Sequence, residues 1–200
     1  MQNEIVIDIE TKKSFDDVGG KENMKMLGVS CAGAYFYATN TYYAYEEHEL
    51  PILEKLLLSC DRIIGFNTNH FDLPVLSAYM DWERLKRVPS FDLLQEITKI
   101  LGHRVSLDSA VSATLGAKKS ANGLQALEWF KEGKIAEIKK YCLEDVRLTK
   151  ELFEYGQKNG KIFYTSYFKT DKLSIPVEWK QTSSMFRPPQ SNNFMQGKLL

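Results

Sequence analysis

The feature that most constrains this chain is a pair of acids at the end of an apolar run, Glu4-Ile5-Val6-Ile7-Asp8-Ile9-Glu10. Its β-branched residues suit a buried strand. Side chains alternate across a strand, so Asp8 and Glu10 point to the same face. Two carboxylates at the end of a buried strand are costly unless something compensates them. Bulk solvent is one compensation and a divalent cation is the other. A lone Asp-x-Glu does not choose between them, and the same spacing recurs at Asp81-x-Glu83 in a helix-to-loop segment.

The rest of the pattern indicates what kind of sheet the strand enters. A polar loop spans residues 12–23, and two or three strands rich in Val, Tyr, Phe and Thr follow to Tyr45, with a turn at Asn40. From Glu47 to Cys60 the period becomes helical, with Leu50, Leu53, Leu57 and Leu58 on one face. Arg62 to Phe66 reads as a short strand, leading through Asn67-Thr68-Asn69-His70 into a helix near Phe71. Val88 to Phe91 is another short strand. Helices are expected at 92–101, 106–115, 122–131 and from Ile135 to about Tyr155, punctuated by Gly156 and Gly160. Residues 161–179 again read as strands. Antiparallel strands followed by strand–helix crossovers predict an α/β fold: a mixed sheet of five or more strands, antiparallel first and parallel later, flanked by helices. Ligands in such sheets bind at strand carboxyl ends near a topological switch, which is where Asp8 and Glu10 fall.

Composition sets the frame. Two hundred residues suit one domain, expected over 1–180. The 24 aromatic residues call for a core and exclude disorder throughout. Equal numbers of basic and acidic residues, 26 each, exclude a protein that coats nucleic acid by bulk charge, though not a local site. Cys31, Cys60 and Cys142 are widely spaced and odd in number, so reduced thiols are expected, without a disulfide framework or structural zinc. The N-terminus lacks the layout of a signal peptide and no apolar run suits a membrane span, so a cytoplasmic location and no membrane partner are expected. Residues 181–200 contain no acid and read as an extended or disordered tail, a candidate for docking a protein partner.

Two further segments carry acids where a fold has little use for them. Asp72, in Gly65-Phe66-Asn67-Thr68-Asn69-His70-Phe71-Asp72, falls in a first helical turn, where an acid also complements the helix dipole. In Tyr141-Cys142-Leu143-Glu144-Asp145, Tyr141 and Asp145 are four apart and share a helix face beside the apolar stripe. The alternative is that Tyr141 is core and Asp145 a solvated edge residue, and the spacing recurs at Tyr167 and Asp171. Taken in order, strand-DxE, strand-loop-helix NxxxFD and helix YxxxD resemble the signature of the DEDD exonucleases, in the subgroup with tyrosine in the third motif. The wording is similar to the proofreading exonuclease domain of family B DNA polymerases: Asp8-Ile9-Glu10-Thr11, Gly65-Phe66-Asn67 running to Phe71-Asp72-Leu73-Pro74, and Tyr141 to Val146. A stretch from Leu107-Asp108-Ser109 to Leu115-Gly116 also looks like that family. The resemblance covers about residues 4–155 and leaves no room for a polymerase, so the chain resembles the stand-alone exonucleases of this group.

That resemblance implies a ribonuclease H-like fold and metal-dependent 3′–5′ exonuclease activity on single-stranded 3′ ends, DNA favoured over RNA. It implies two Mg²⁺ or Mn²⁺ ions held by Asp8, Glu10, Asp72 and Asp145, with Asp8 bridging and Asp72 acting through water on the leaving-group side. Tyr141 orients the attacking water, because a phenol is a poor base near neutral pH. Thr11 matches the position that contacts the terminal nucleotide, Asn67 positions the strand, and Phe71 is either a stacking residue or core. His70 adjoins Asp72 but is no motif position, and His103 reads as solvated or as a phosphate contact. Six Lys against three Glu over 118–140 suggest a phosphate-tracking patch of Lys118, Lys119, Lys134, Lys139 and Lys140, or merely a solvated helical face. A noncatalytic binding or docking module, and a structure-selective endonuclease, are the alternatives on the same fold. With the four acids set aside as ligands, the remaining chain is four charges positive.

Overall fold

The apolar opening segment forms strand β1 (Glu4–Thr11), central in a five-stranded sheet of the computed structural model, which describes residues 3–117, 122–166 and 171–179. On one side β1 pairs antiparallel with β2 (Val29–Phe36), and β2 with β3 (Thr41–Tyr45). Asn40 makes the β2–β3 turn at φ 53°, in the left-handed region that Asn tolerates. On the other side β1 pairs parallel with β4 (Arg62–Gly65), and β4 with β5 (Ser90–Asp92). The order β3-β2-β1-β4-β5 is the expected mixed sheet. Pairing changes sense at β1, so its carboxyl end sits where such sheets bind ligands.

Alternation along β1 separates two cores. Ile5, Ile7 and Ile9 pack with α1 (Leu50–Leu57) and α2 (Asp72–Leu76). Val6 packs on the opposite side with α4 (Leu93–Leu101), α5 (Leu107–Leu115) and α7 (Ile135–Asn159). Asp8 and Glu10 continue the Val6 face, towards α7. The expected helix over 47–60 is shorter than its pattern: α1 follows a 3₁₀ turn at Glu47–Glu49, and Leu58 is only half-buried beyond its end. The polar loop also contains 3₁₀ turns at Asp16–Val18 and Lys21–Met26. Two further helices are α3 (Trp82–Leu85) and α6 (Gly123–Lys131). Asp81 of the second Asp-x-Glu caps α3 by accepting the Arg84 amide at 3.2 Å, an ordinary N-cap.

Helix α7 is longer than its pattern suggests. It runs to Asn159 and ends at Gly160, a left-handed C-cap at φ 64°. Gly156 lies inside it because the Trp179 ring rests on the helix there, and a Cβ would overlap that ring. Trp179 in turn stacks on Phe153 at 6.1 Å. After α7, β6 (Lys161–Thr165) and β7 (Lys172–Pro176) form a separate antiparallel hairpin against α5. The free side of β6 meets hydroxyls in place of a strand. Thr114 Oγ1 exchanges hydrogen bonds with the Phe163 carbonyl and amide at 2.9 Å each, and Ser109 Oγ does the same for Thr165 at 3.0 and 3.1 Å. Among the described residues no helix is long and apolar enough to cross a membrane. The expected tail, 181–200, lies outside the described residues.

Candidate active site

Strand β1 and helix α7 bring the sequence-distant acids together, and a glycine sets how closely. A Cβ on Gly33 of β2 would sit 2.9 Å from both Cys142 Sγ and Val146 Cγ2, so α7 can rest on the sheet only where no side chain intervenes. Cys142 packs in this seam with Cys31 and Ile138. Its thiol donates to the Asp8 carbonyl at 3.4 Å and stands 3.8 Å from Asp8 Oδ2. A hydrogen bond with Cys31, then burial, hold Cys142 well above the ordinary thiol range, so it acts as a neutral donor.

One turn further along α7, Asp145 meets the β1 acids. Asp8, Glu10 and Asp145 each offer a carboxylate oxygen, and the three oxygens lie within 4.8 Å of one another. Glu10 and Asp145 are buried and Asp8 is half-buried. Like charges at this spacing resist ionisation together, and a divalent cation reverses that balance. The donors are hard oxygens with no imidazole or thiolate, which suits Mg²⁺ or Mn²⁺ and not zinc. The residues present therefore fit the expected metal class.

Asp72 opens α2, buried, and lines the same cleft as Asp8 and Glu10 without joining the three-carboxylate cluster. Burial, reinforced by the negative charge of Asp92, pushes its carboxyl up to about 7, against its own amide, the Ile9 amide and the Thr68 hydroxyl. Tyr141 is also buried and lines the cleft, its ring 6.2 Å from that of Trp129. Burial first, then Asp145, Glu10 and Asp8, hold its phenol far above the ordinary value, so it remains a proton donor. The cleft has a volume of about 350 Å³. Thr11 and Phe71 line it too, although the Thr11 hydroxyl donates to the Lys13 carbonyl at 2.9 Å and Phe71 also packs edge-on against Phe15.

Asn67 stands beside Phe66, a cleft residue, in the left-handed conformation at φ 70°. Its side-chain Oδ1 accepts from Arg104 at 2.6 Å. The loop carrying it is clamped by Asp92, a residue that motif reasoning passed over. The buried Asp92 carboxylate accepts the amides of Asn67 at 2.8 Å, Asn69 at 3.0 Å and Gln95 at 3.2 Å. The available signal was an acid directly before the Leu93 helix, where an N-cap belongs. Asp92→Ala is expected to lower stability by about 2–3 kcal/mol, because it strands loop amides, with Asp92→Asn losing less. Denaturant titration measures this, and an unchanged midpoint in Asp92→Ala would show that the loop is held some other way.

Other expectations change with the fold. Lys134 pairs with Glu132 at 2.7 Å and Lys139 with Glu46 at 2.6 Å, while Lys118 and Lys119 lie outside the described residues. Two of the patch lysines are thus neutralised, Lys134 by an acid of its own segment and Lys139 by one far away in sequence, while Lys140 is exposed. His70 is exposed and does not line the cleft. His103 is exposed, with Nδ1 3.2 Å from the Leu101 carbonyl. Leu124 and Leu127 of α6 supply an apolar wall that the motifs did not indicate.

Comparison with known proteins places this arrangement. The model of the RNase_H_2 family, in the RNase H superfamily, matches residues 5–157. No curated protein matches the chain. Among solved structures the chain is similar to the family B DNA polymerase from the hyperthermophilic archaeon Pyrobaculum calidifontis, with a TM-score of 0.61 and 19% identity. The match covers 78% of this chain and 24% of the polymerase chain, so it spans about a quarter of that protein's length. At this identity the likeness is one of fold.

Proposed function

We propose, from the premise that this chain belongs to the RNase_H_2 family of the RNase H superfamily, that it is a metal-dependent 3′–5′ exonuclease acting on single-stranded ends, DNA in preference to RNA. The observation that carries this reading is the convergence of Asp8, Glu10 and Asp145 within 4.8 Å at the carboxyl end of β1. The superfamily and the polymerase neighbour support phosphodiester hydrolysis, and the cleft supports action at an end. Its volume of about 350 Å³ is at the small end for ligand sites, room for one terminal nucleotide and not for a duplex.

Divalent cations bound here would neutralise charge at phosphorus and favour an ionised water nucleophile. Asp8, Glu10 and Asp145 would hold them, with Asp72 on the leaving-group side. The remaining roles belong to the chain itself. Tyr141, a protonated phenol, orients the attacking water by hydrogen bonding and does not take its proton. Thr11 contacts the terminal nucleotide, Asn67 steers the strand as it enters, and Phe71 offers an apolar edge to the terminal base. Leu124 and Leu127 exclude solvent from one side.

A 5′-labelled single-stranded oligonucleotide with Mg²⁺ or Mn²⁺ is expected to give a ladder that shortens from the 3′ end, and none with chelator. DNA and RNA strands run in parallel rank the two sugars. Cleavage of a closed circle, which has no end, would replace the exonuclease reading with an endonuclease.

A further inference from the structure

The β6–β7 hairpin presents two unlike faces. Ile162, Tyr164, Leu173 and Ile175 turn inward to the core. The register pairs Lys161 with Pro176, Phe163 with Ser174 and Thr165 with Lys172. Alternation therefore sets these six residues on the outer face, and none of them is an acid. Asp171 and Glu178 lie beyond the paired register.

Both lysines converge on one ring. The Lys172 ammonium lies 4.2 Å from the Phe163 centroid and that of Lys161 5.7 Å from it. The two charges are thus held within about 10 Å of each other, about the screening length at 0.1 M salt. Lys134, Lys139 and Lys150, by contrast, are each neutralised by a carboxylate. Among the described residues neither Lys161 nor Lys172 is in an ion pair. Two cations gathered on a half-buried aromatic ring, with no anion of the described residues paired to either, match a phosphate backbone bearing bases.

A chain of contacts joins the cleft to this hairpin, ending on its inward-facing residue Tyr164. Asn67 adjoins the cleft residue Phe66 and is held by Arg104, which is exposed. The ring of His103, next in sequence, stands 6.0 Å from Tyr164 of β6. We propose that the outer face of this hairpin is a second contact site for single-stranded nucleic acid, with backbone phosphate between Lys161 and Lys172 and a base against Phe163. The site takes the part of the strand upstream of the end held in the cleft. It rests on the reading of the cleft as a nuclease site.

Anisotropy of labelled oligothymidylates of about 4 and about 16 nucleotides, which bracket single-strand site sizes, tests this in chelator. Cleavage of the shorter strand with Mg²⁺ is followed in parallel. Phe163→Ala is expected to weaken binding of the longer strand about fivefold or more and to leave cleavage of the shorter strand unchanged. The double variant Lys161→Gln/Lys172→Gln leaves the packing intact, and its salt dependence of binding should be shallower by about 1.4 in log–log slope, as for two lost phosphate contacts. Unchanged affinity and slope for the longer strand in both variants overturns the site. So does an equal loss for the two lengths, which would mark a structural role. If the wild-type chain cleaves neither length yet the variants still weaken the longer strand, the nuclease reading fails and the hairpin site stands.

Discussion

Asp8→Ala and Asp145→Ala are each expected to lower cleavage by at least about 1000-fold, about 4 kcal/mol of transition-state stabilisation, while Asp81→Ala stays near wild type. The contrast follows from position and not from residue type. Asp81 belongs to the same Asp-x-Glu pattern as Asp8, but its carboxylate is occupied by the Arg84 amide at the start of α3. Asp8 and Asp145 come from β1 and α7, at opposite ends of the fold's sequence, and share a space within 4.8 Å. Removing either takes one of three converging carboxylates from the site, and with it the charge and position that hold a hard cation. Repulsion among the carboxylates also falls, which offsets part of the hydrogen bond that Asp145→Ala takes from the buried Tyr141, and Asp145→Asn keeps the shape of the buried side chain. Thermal melts with and without Mg²⁺ complete the test: the wild type should melt higher with the ion, and the variants should not respond. Cleavage that survives in both alanine variants of clean protein would remove the assignment.

Gly65→Ala is expected to be the most damaging added methyl among the described glycines, with at least about 2 kcal/mol lost, in the upper range for overpacking, and activity lost together with stability. A Cβ at Gly65 would overlap Thr68 Oγ1, lie 2.8 Å from Thr68 Cβ and stand 3.2 Å from the Ile7 carbonyl of β1. Thr68 is 1% exposed and cannot swing clear. It sits between Asn67 and Asp72, so its displacement moves one wall of the cleft. Adding Thr68→Ala removes the nearest clash and should recover part of both losses. Wild-type melting and cleavage in Gly65→Ala would mean that the loop has slack which the geometry does not show.

The opening strand, its two acids and most helices are legible in the sequence because their signals are local. Alternation in residues 4–10 assigns faces, and the glycines at 102 and 116 end α4 and α5 where the periodicity stops. The fold class follows from element order. What is not legible depends on pairs brought together from afar. Gly33 reads as an ordinary strand residue until α7 lies across it. Gly156 reads as a helix terminus until Trp179 fills the space beside it. Lys139 reads as a free cation until Glu46, 93 residues away, meets it. Asp92 is visible as a cap, but its second task of holding Asn67 and Asn69 needs the β4 and β5 loops side by side. Candidate site residues that match a motif can thus be named from sequence, whereas the residues that hold them in place cannot.

The hydroxyls of Ser109 and Thr114 along β6 have a consequence outside catalysis. A two-stranded ribbon ordinarily ends in a row of bare amides and carbonyls, a template onto which another chain can crystallise strand upon strand. Here two side chains from a helix terminate that row, each answering one residue's donor and acceptor at once. The β6 edge is thereby closed to growth without a third strand, while β7 carries Lys172 and Pro176, and the outer face of the ribbon is left free of the task of guarding the β6 edge.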